Sequence, residues 1–293
     1  MRLDRYLPPQ APQELTLVTD NPAATNDVAA SLRARINTGQ PHTARIWNYW
    51  LGGKDNYEVD RAAGDQIRRL HPGIGEYARH DRLFLGRAVR HLVNDLGIRQ
   101  FLDIGTGLPT ADNTHEVAQS VAPETRVVYV DNDPLVLTHA RALLTSTPEG
   151  RTDYLDEDLR NIDSIFEHAA KTLDFSRPVA LMLLGVVIFI GDDEDPYRLV
   201  RQLVDRLPAG SYLVLSHTVT SPSMPDVDEA VKFWNEHGTP KLTQRTPEDV
   251  TRFFDGLELL EPGVVSCSRW RPEGAGDTEP EEVAMFGGVA RKN

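Results

Sequence analysis

From Gln100 onward, short apolar runs alternate with segments in which apolar residues recur every three or four positions. The runs predict strands at Phe101–Ile104, Arg126–Val130, Thr152–Leu155, Val179–Val187, Tyr212–Ser216, Leu257–Ser266 and Val283–Val289. Between them, helices are expected near Asp112–Val121, Pro134–Thr145, Ile162–Thr172, Pro196–Leu207, Asp226–His237 and Pro247–Phe254. Pro134 and Pro247 stand where a proline suits a first helical turn. This alternation predicts an α/β domain over residues 100–293, a mostly parallel sheet with helices on both faces. Upstream, Leu83, Val89, Leu92, Val93 and Leu96 give a helix over Arg79–Leu96, with Gly97 placed to end it. Residues 41–99 read as a helical cap segment. Residues 1–40, rich in Pro, Ala, Asn, Thr and Asp, read as a flexible tail with a short helix near Asn26–Ile36.

Composition narrows the setting. The longest apolar run, Val179–Ile190, is broken only by Gly185 and is shorter than the ~18 residues that span a bilayer, so it reads as a buried strand. The first residues, Met-Arg-Leu-Asp-Arg-Tyr, lack the apolar region of a secretory signal. The single cysteine, Cys267, excludes an internal disulfide framework, and a cytoplasmic location is expected. The net charge is −13, with the acid surplus beyond residue 100. Such a surface repels a phosphate backbone, so no nucleic-acid partner is expected, and no membrane partner either.

Candidate chemistry begins at Phe101-Leu102-Asp103-Ile104-Gly105-Thr106-Gly107-Leu108-Pro109, a strand running into a glycine turn before a helix. Glycines there let a ligand approach the main chain. A dinucleotide fingerprint would place Gly or Ala at position 110, where this chain has Thr110. Asp103 at the strand end would repel a pyrophosphate but suits a ligand carrying an ammonium and a sulfonium, such as S-adenosylmethionine (SAM). Asp131 ends the next strand, where an acid can accept both ribose hydroxyls. Asp133, directly before Pro134, fits a helix cap. After the third strand, in Tyr154-Leu155-Asp156-Glu157-Asp158-Leu159, a carboxylate can accept an adenine amino group and a neighbouring apolar residue can cover the ring.

The chain resembles a family of SAM-dependent methyltransferases abundant in actinobacteria and mostly of unknown substrate. The resemblance rests above all on Ala44-Arg45-Ile46-Trp47-Asn48-Tyr49-Trp50-Leu51-Gly52-Gly53-Lys54-Asp55-Asn56-Tyr57. It is carried further by Phe101–Pro109, Val128–Pro134, Leu207–His217, Trp270-Arg271-Pro272 and Gly288–Lys292. It implies the class I methyltransferase fold, a Rossmann-like sheet of seven strands with the last antiparallel. It also implies SAM against Asp103, Gly105, Thr106 and Gly107, ribose at Asp131, and adenine near Asn132, Asp158 and Leu159, with Leu184 and Gly185 as floor. Gly185 and Ile188 depart from the alanine and histidine frequent in relatives, which puts a polar catalytic role for that run in doubt.

Read from its residues, Gly52–Asn56 is a turn between aromatic helices. A P-loop would need glycine at Asn48 and Ser or Thr at Asp55. Two readings stand: a lid in which Tyr49, Gly53, Lys54 and Asn56 close over the cofactor with Tyr57, or a structural turn packing Trp47 and Trp50. His217, at the end of the fifth strand, is either a general base or a satisfied structural histidine. Arg269, Trp270 and Arg271 either recognise an acceptor carboxylate or form a solvated strand end. No metal site is expected: there is no His-Glu-x-x-His, and Cys267 has no cysteine partner. No Gly-x-Ser-x-Gly elbow is present. The expectation is an enzyme that transfers the SAM methyl group in line to a small-molecule acceptor. The alternatives are a non-catalytic SAM sensor and, behind it, an NAD(P)-dependent oxidoreductase.

Overall fold

Five consecutive buried residues, Gln100–Ile104, form strand β1 at the centre of the sheet. The computed structural model describes residues 37–109, 112–133, 135–136, 145–274 and 279–293. The expected helix near Asn26–Ile36 lies outside the described residues, as does most of the one expected over Pro134–Thr145. Strands β2 (Arg126–Asp131), β3 (Arg151–Asp156), β4 (Ala180–Leu184), β5 (Tyr212–Thr218), β6 (Glu258–Leu259), β7 (Val265–Ser266) and β8 (Met285–Arg291) follow. Their order is β3-β2-β1-β4-β5-β8-β6, with β7 also on β8. Pairing is parallel from β3 through β5, and β8 runs antiparallel to β5, β6 and β7. The chain steps outward from β1 to β2 and β3, then crosses to β4 and β5. That reversal opens a crevice beyond the carboxyl ends of β1 and β4.

The fold is the expected Rossmann-like, mostly parallel sheet flanked by helices, with eight strands among the described residues where seven are expected. The extra strand arises because the apolar stretch Leu257–Ser266 does not run straight. Pro262 and Gly263 (φ 91°) turn the chain, leaving two residues paired with β8 on each side. The stretch Val179–Val187 is also shorter as a strand. Gly185 takes φ 60° after Leu184, and Val187–Phe189 continue as a single tight turn.

Helices α1 (Thr43–Trp50), α2 (Glu58–Leu70) and α3 (Ile74–Asn94) precede β1. Helices α4 (Thr114–Val121), α5 (Ile162–Ala169), α6 (Pro196–Asp205), α7 (Pro225–His237) and α8 (Pro247–Thr251) lie between later strands. Their starts follow local chemistry. The Asn113 amide N–H donates to Glu116 before α4 (2.8 Å), and Thr246 accepts from the Asp249 amide before α8 (3.2 Å). Helix α3 begins earlier than its apolar spacing predicts, directly after Pro72-Gly73. Gly97, at φ 69°, follows its last turn. Tyr77, Ala78, Phe84, Leu85, Ala88, Val89 and Leu92 form one buried stripe on α3. Among the described residues, no helix is long and apolar enough to cross a membrane.

Candidate functional site

A cavity of about 390 Å³ opens at the carboxyl ends of β1, β2 and β4. The strand ends supply its base with Asp103, Asp131, Leu184 and Gly185. The loops beyond them add Gly105, Thr106, Gly107, Asn132, Asp158 and Leu159. Each of these residues is singled out by the sequence, and each lines the same cavity. Gly105 has φ 76°, and a Cβ on it would lie 2.4 Å from Val186 Cγ2, so the turn after β1 requires glycine.

Three buried carboxyl groups share this wall: Asp81, Asp103 and Asp131. Burial raises each from an ordinary value of 3.8 to about 6. Asp103 accepts from the Thr114 hydroxyl at 2.6 Å. Asp131 accepts from the amides of Gly107 and Asp133, both at 2.9 Å, and so holds the glycine turn in place. Two of its roughly four lone-pair positions remain for a ligand. Asp133 accepts from the Leu135 amide at 2.8 Å, the capping contact expected of it. Asn132 donates to Asp158 at 3.1 Å, and Asp158 is paired with Arg160. Asp81 accepts from the Ser216 hydroxyl at 2.6 Å, while Ser216 accepts from the Gly185 amide at 3.0 Å. Sequence reasoning passed over Asp81. The available signal was an acid on the apolar stripe of α3, between Ala78 and Phe84.

The N-terminal block reaches the cavity through residues other than those expected. Thr43, Ala44, Trp47, Asn48 and Leu51 line it; Tyr49, Gly53, Lys54 and Asn56 do not. The Tyr49 hydroxyl donates to Asp65 on α2 at 2.7 Å, and Lys54 is exposed. Asn48 organises the turn instead, accepting from the Asp55 amide and the Asn56 side chain, both at 3.0 Å. Gly53 sits so close that a Cβ would fall 2.3 Å from the Asn48 amide nitrogen. Arg45 is buried and bonded to Asp60 at 2.9 Å. Asp60, also missed, accepts in addition from the amides of His42 (2.9 Å) and Tyr57 (2.8 Å). Tyr57 and Ala44 pack against Leu108, Leu135 and Val136, next to the glycine turn.

His217 is fully buried and does not line the cavity. Its Nδ1–H donates to the Thr218 carbonyl (2.8 Å), and its Nε2 accepts from Arg245 (2.7 Å). Burial lowers its pKa to about 4. The imidazole is neutral and satisfied on both nitrogens. Arg269 bonds Glu279 and Glu282, Arg271 donates to the Glu261 carbonyl, and Trp270 is fully buried. That trio ties the chain together rather than forming a solvated strand end. Among the described residues, no group of three or more His, Cys, Asp or Glu side chains is arranged to hold a metal ion.

Comparison with known proteins accords with this geometry. The profile of a family described as S-adenosyl methyltransferase matches residues 29–293. A DUF574 family protein from Streptomyces avermitilis MA-4680, solved at 1.80 Å, is similar at 45% identity, over 87% of this chain and 99% of that one, with a TM-score of 0.83. A protein from Thermobifida fusca YX, provisionally described as a methyltransferase, is 41% identical over 88% of this chain and 97% of its own, with a TM-score of 0.81. A search of curated proteins finds no match. With the profile spanning nearly the whole chain and the cavity sitting where the fold places its ligand, the protein belongs to the S-adenosyl methyltransferase family and is a SAM-dependent methyltransferase.

Proposed function

We propose that the protein binds SAM in the 390 Å³ cavity and methylates a small-molecule acceptor directly, without a covalent enzyme intermediate. The observation that carries this reading is the meeting of Asp81, Asp103 and Asp131 around one cavity. Each ionises reluctantly when the cavity holds no cation, and each gains from a positive ligand. Asp103 faces the ammonium and sulfonium end. Asp131 accepts the ribose hydroxyls with its two remaining lone-pair positions. Asn132, Asp158 and Leu159 frame the adenine, and Leu184 and Gly185 form the floor. When bound, SAM supplies an activated methyl group on a cationic sulfur. The chain's own contribution is to orient that group and to keep water from it. Residues 41–61 serve as the closing segment, with Trp47, Asn48 and Leu51 as the surfaces that meet the ligand. The absence of a basic stripe on a −13 chain supports a small acceptor over nucleic acid.

Calorimetry with S-adenosylhomocysteine and with NAD tests the cofactor assignment. The expected outcome is saturable binding of the first and none of the second. Asp131→Ala should weaken the first by about 1.5–3 kcal/mol, as loss of charge-assisted hydrogen bonds does. Tight NAD binding without S-adenosylhomocysteine binding would reject the assignment. Hydrogen exchange should slow in 41–61 on ligand binding; protection confined to 103–159 would leave that block a structural appendage.

A further inference from the structure

A second, smaller chamber of about 60 Å³ adjoins the first. The two share Thr43, Trp47, Gly185 and Phe189, so the floor glycine of one is the threshold of the other. Its walls come from α1, α2, α3 and α7, and they include the rings of Trp47, Trp50, Tyr77 and Trp234. The polar atoms of Trp50, Trp234 and Tyr77 are engaged elsewhere. Trp50 Nε1 donates to the Gly64 carbonyl (3.3 Å), Trp234 Nε1 to the Pro240 carbonyl (2.7 Å), and the Tyr77 hydroxyl pairs with Thr218. What faces the chamber is therefore mostly carbon, with one titratable exception. His71 lies in the wall, and its Nδ1 is 2.6 Å from Asp226 Oδ2 at the start of α7. In the neutral ring, donation from Nδ1–H to this carboxylate leaves Nε2 as a hydrogen-bond acceptor.

We infer that this chamber seats the methyl acceptor, and that the acceptor is a single-ring aromatic compound bearing a hydroxyl or amino group that donates to His71 Nε2. Size allows one ring at most: about 60 Å³ is less than the roughly 150 Å³ that encloses a whole benzene ring, so the ring lies partly across the shared threshold of Thr43, Trp47, Gly185 and Phe189. The aromatic walls favour a flat apolar body, and the His71–Asp226 pair supplies the polar point that orients it. Continuity through Gly185 brings the ring's far edge to the cavity assigned to SAM; a nucleophilic atom on that edge takes the methyl group, the sulfonium leaves as the neutral thioether, and the proton lost from the nucleophile passes to solvent. His71 is in this arrangement a positioning residue.

This inference rests on the cofactor assignment above, and its test separates the two. The protein is saturated with S-adenosylhomocysteine, and binding of phenol, aniline and toluene is followed by ligand-observed NMR. All three should bind saturably. Ala230→Trp, which fills the chamber from α7, should abolish their binding while leaving S-adenosylhomocysteine affinity within about threefold. Val231→Trp serves the same purpose if the first variant does not fold. His71→Phe should weaken phenol and aniline about tenfold, as loss of one hydrogen bond does, and leave toluene unchanged. Three rings that fail to bind the loaded protein, or that bind either tryptophan variant as well as the parent, overturn the acceptor seat. An equal loss of toluene and phenol in His71→Phe overturns the role of His71. Failure of the parent to bind S-adenosylhomocysteine would instead overturn the cofactor assignment.

Discussion

Replacing Asp103 by asparagine should stabilise the protein without ligand and impair it with ligand. The parent carboxyl, moved from 3.8 to about 6 by burial, costs on the order of 3 kcal/mol when ionised in the folded state. The direction with pH follows from proton counting. Between about pH 4 and 6 the folded protein holds a proton at Asp103 that the unfolded chain has released. Stability therefore falls as pH rises through this window, and the full cost applies above it. Asparagine keeps the shape and can still accept from Thr114, but with a weaker, uncharged bond. The net gain at pH 8 should be about 2 kcal/mol, which is several degrees in Tm, and close to zero at pH 4. Binding should move the other way. Loss of a carboxylate opposite the ligand's ammonium group should lower S-adenosylhomocysteine affinity roughly ten- to hundredfold above pH 7. In the parent that affinity should rise as pH climbs through 6. Differential scanning fluorimetry from pH 4 to 8.5, paired with calorimetry, reads both. A variant less stable than the parent at pH 8, or one that binds equally well, would refute the argument.

Gly105→Ala should abolish detectable S-adenosylhomocysteine binding, because a methyl group 2.4 Å from Val186 at φ 76° forces the turn apart; calorimetric affinity within threefold of the parent would contradict this. His217→Gln should keep methyl-transfer kcat within a few-fold, since the ring lies off the cavity; a loss above a hundredfold with intact folding would restore it as a base. In the parent, the lowered pKa of His217 adds stability that is present above about pH 6.5 and disappears as pH falls toward 4, and its replacement should flatten that part of the acid unfolding profile. Asp60→Asn should cost about 3–5 kcal/mol by stranding the buried Arg45, and thermal unfolding would show the loss as a clearly lowered Tm.

The sheet and the residues that gather around the main cavity were legible because their signals are local. A strand, a glycine turn and an acid at the next strand end lie within a few residues of one another, and Asp103, Gly105, Gly107 and Asp131 follow from that spacing. The errors came where sequence distance hides the partner. Lys54 and Asn48 stand six residues apart in a polar turn, and nothing in the pattern tells that the lysine faces solvent while the asparagine holds the backbone. Arg45 is buried because α2 brings Asp60, fifteen residues further along the chain, beside it. Apolar runs also overstate strands. Val186–Ile190 stays apolar because Val186, Phe189 and Ile190 line the cavity and Val187 joins the core, not because the run remains extended. His217 sits on the correct edge of the sheet, but its partner Arg245 arrives from the segment before α8, and that contact consumes its free nitrogen.

The position of β8 has a consequence for how the chain is made. All seven residues of β5 are buried, and their outer edge is covered by β8, the last strand in the sequence. During synthesis, β1 to β5 emerge first and can pair among themselves, while one flank of β5 keeps an apolar ladder of open backbone groups. That flank stays exposed until Met285–Arg291 has left the ribosome and slots in antiparallel, with Lys292 then bonding back to Ser211 (2.8 Å). A nascent chain stalled before this point carries a sticky, uncapped edge. Closure of the sheet on that side thus waits on a segment that lies roughly seventy residues beyond β5 in the chain.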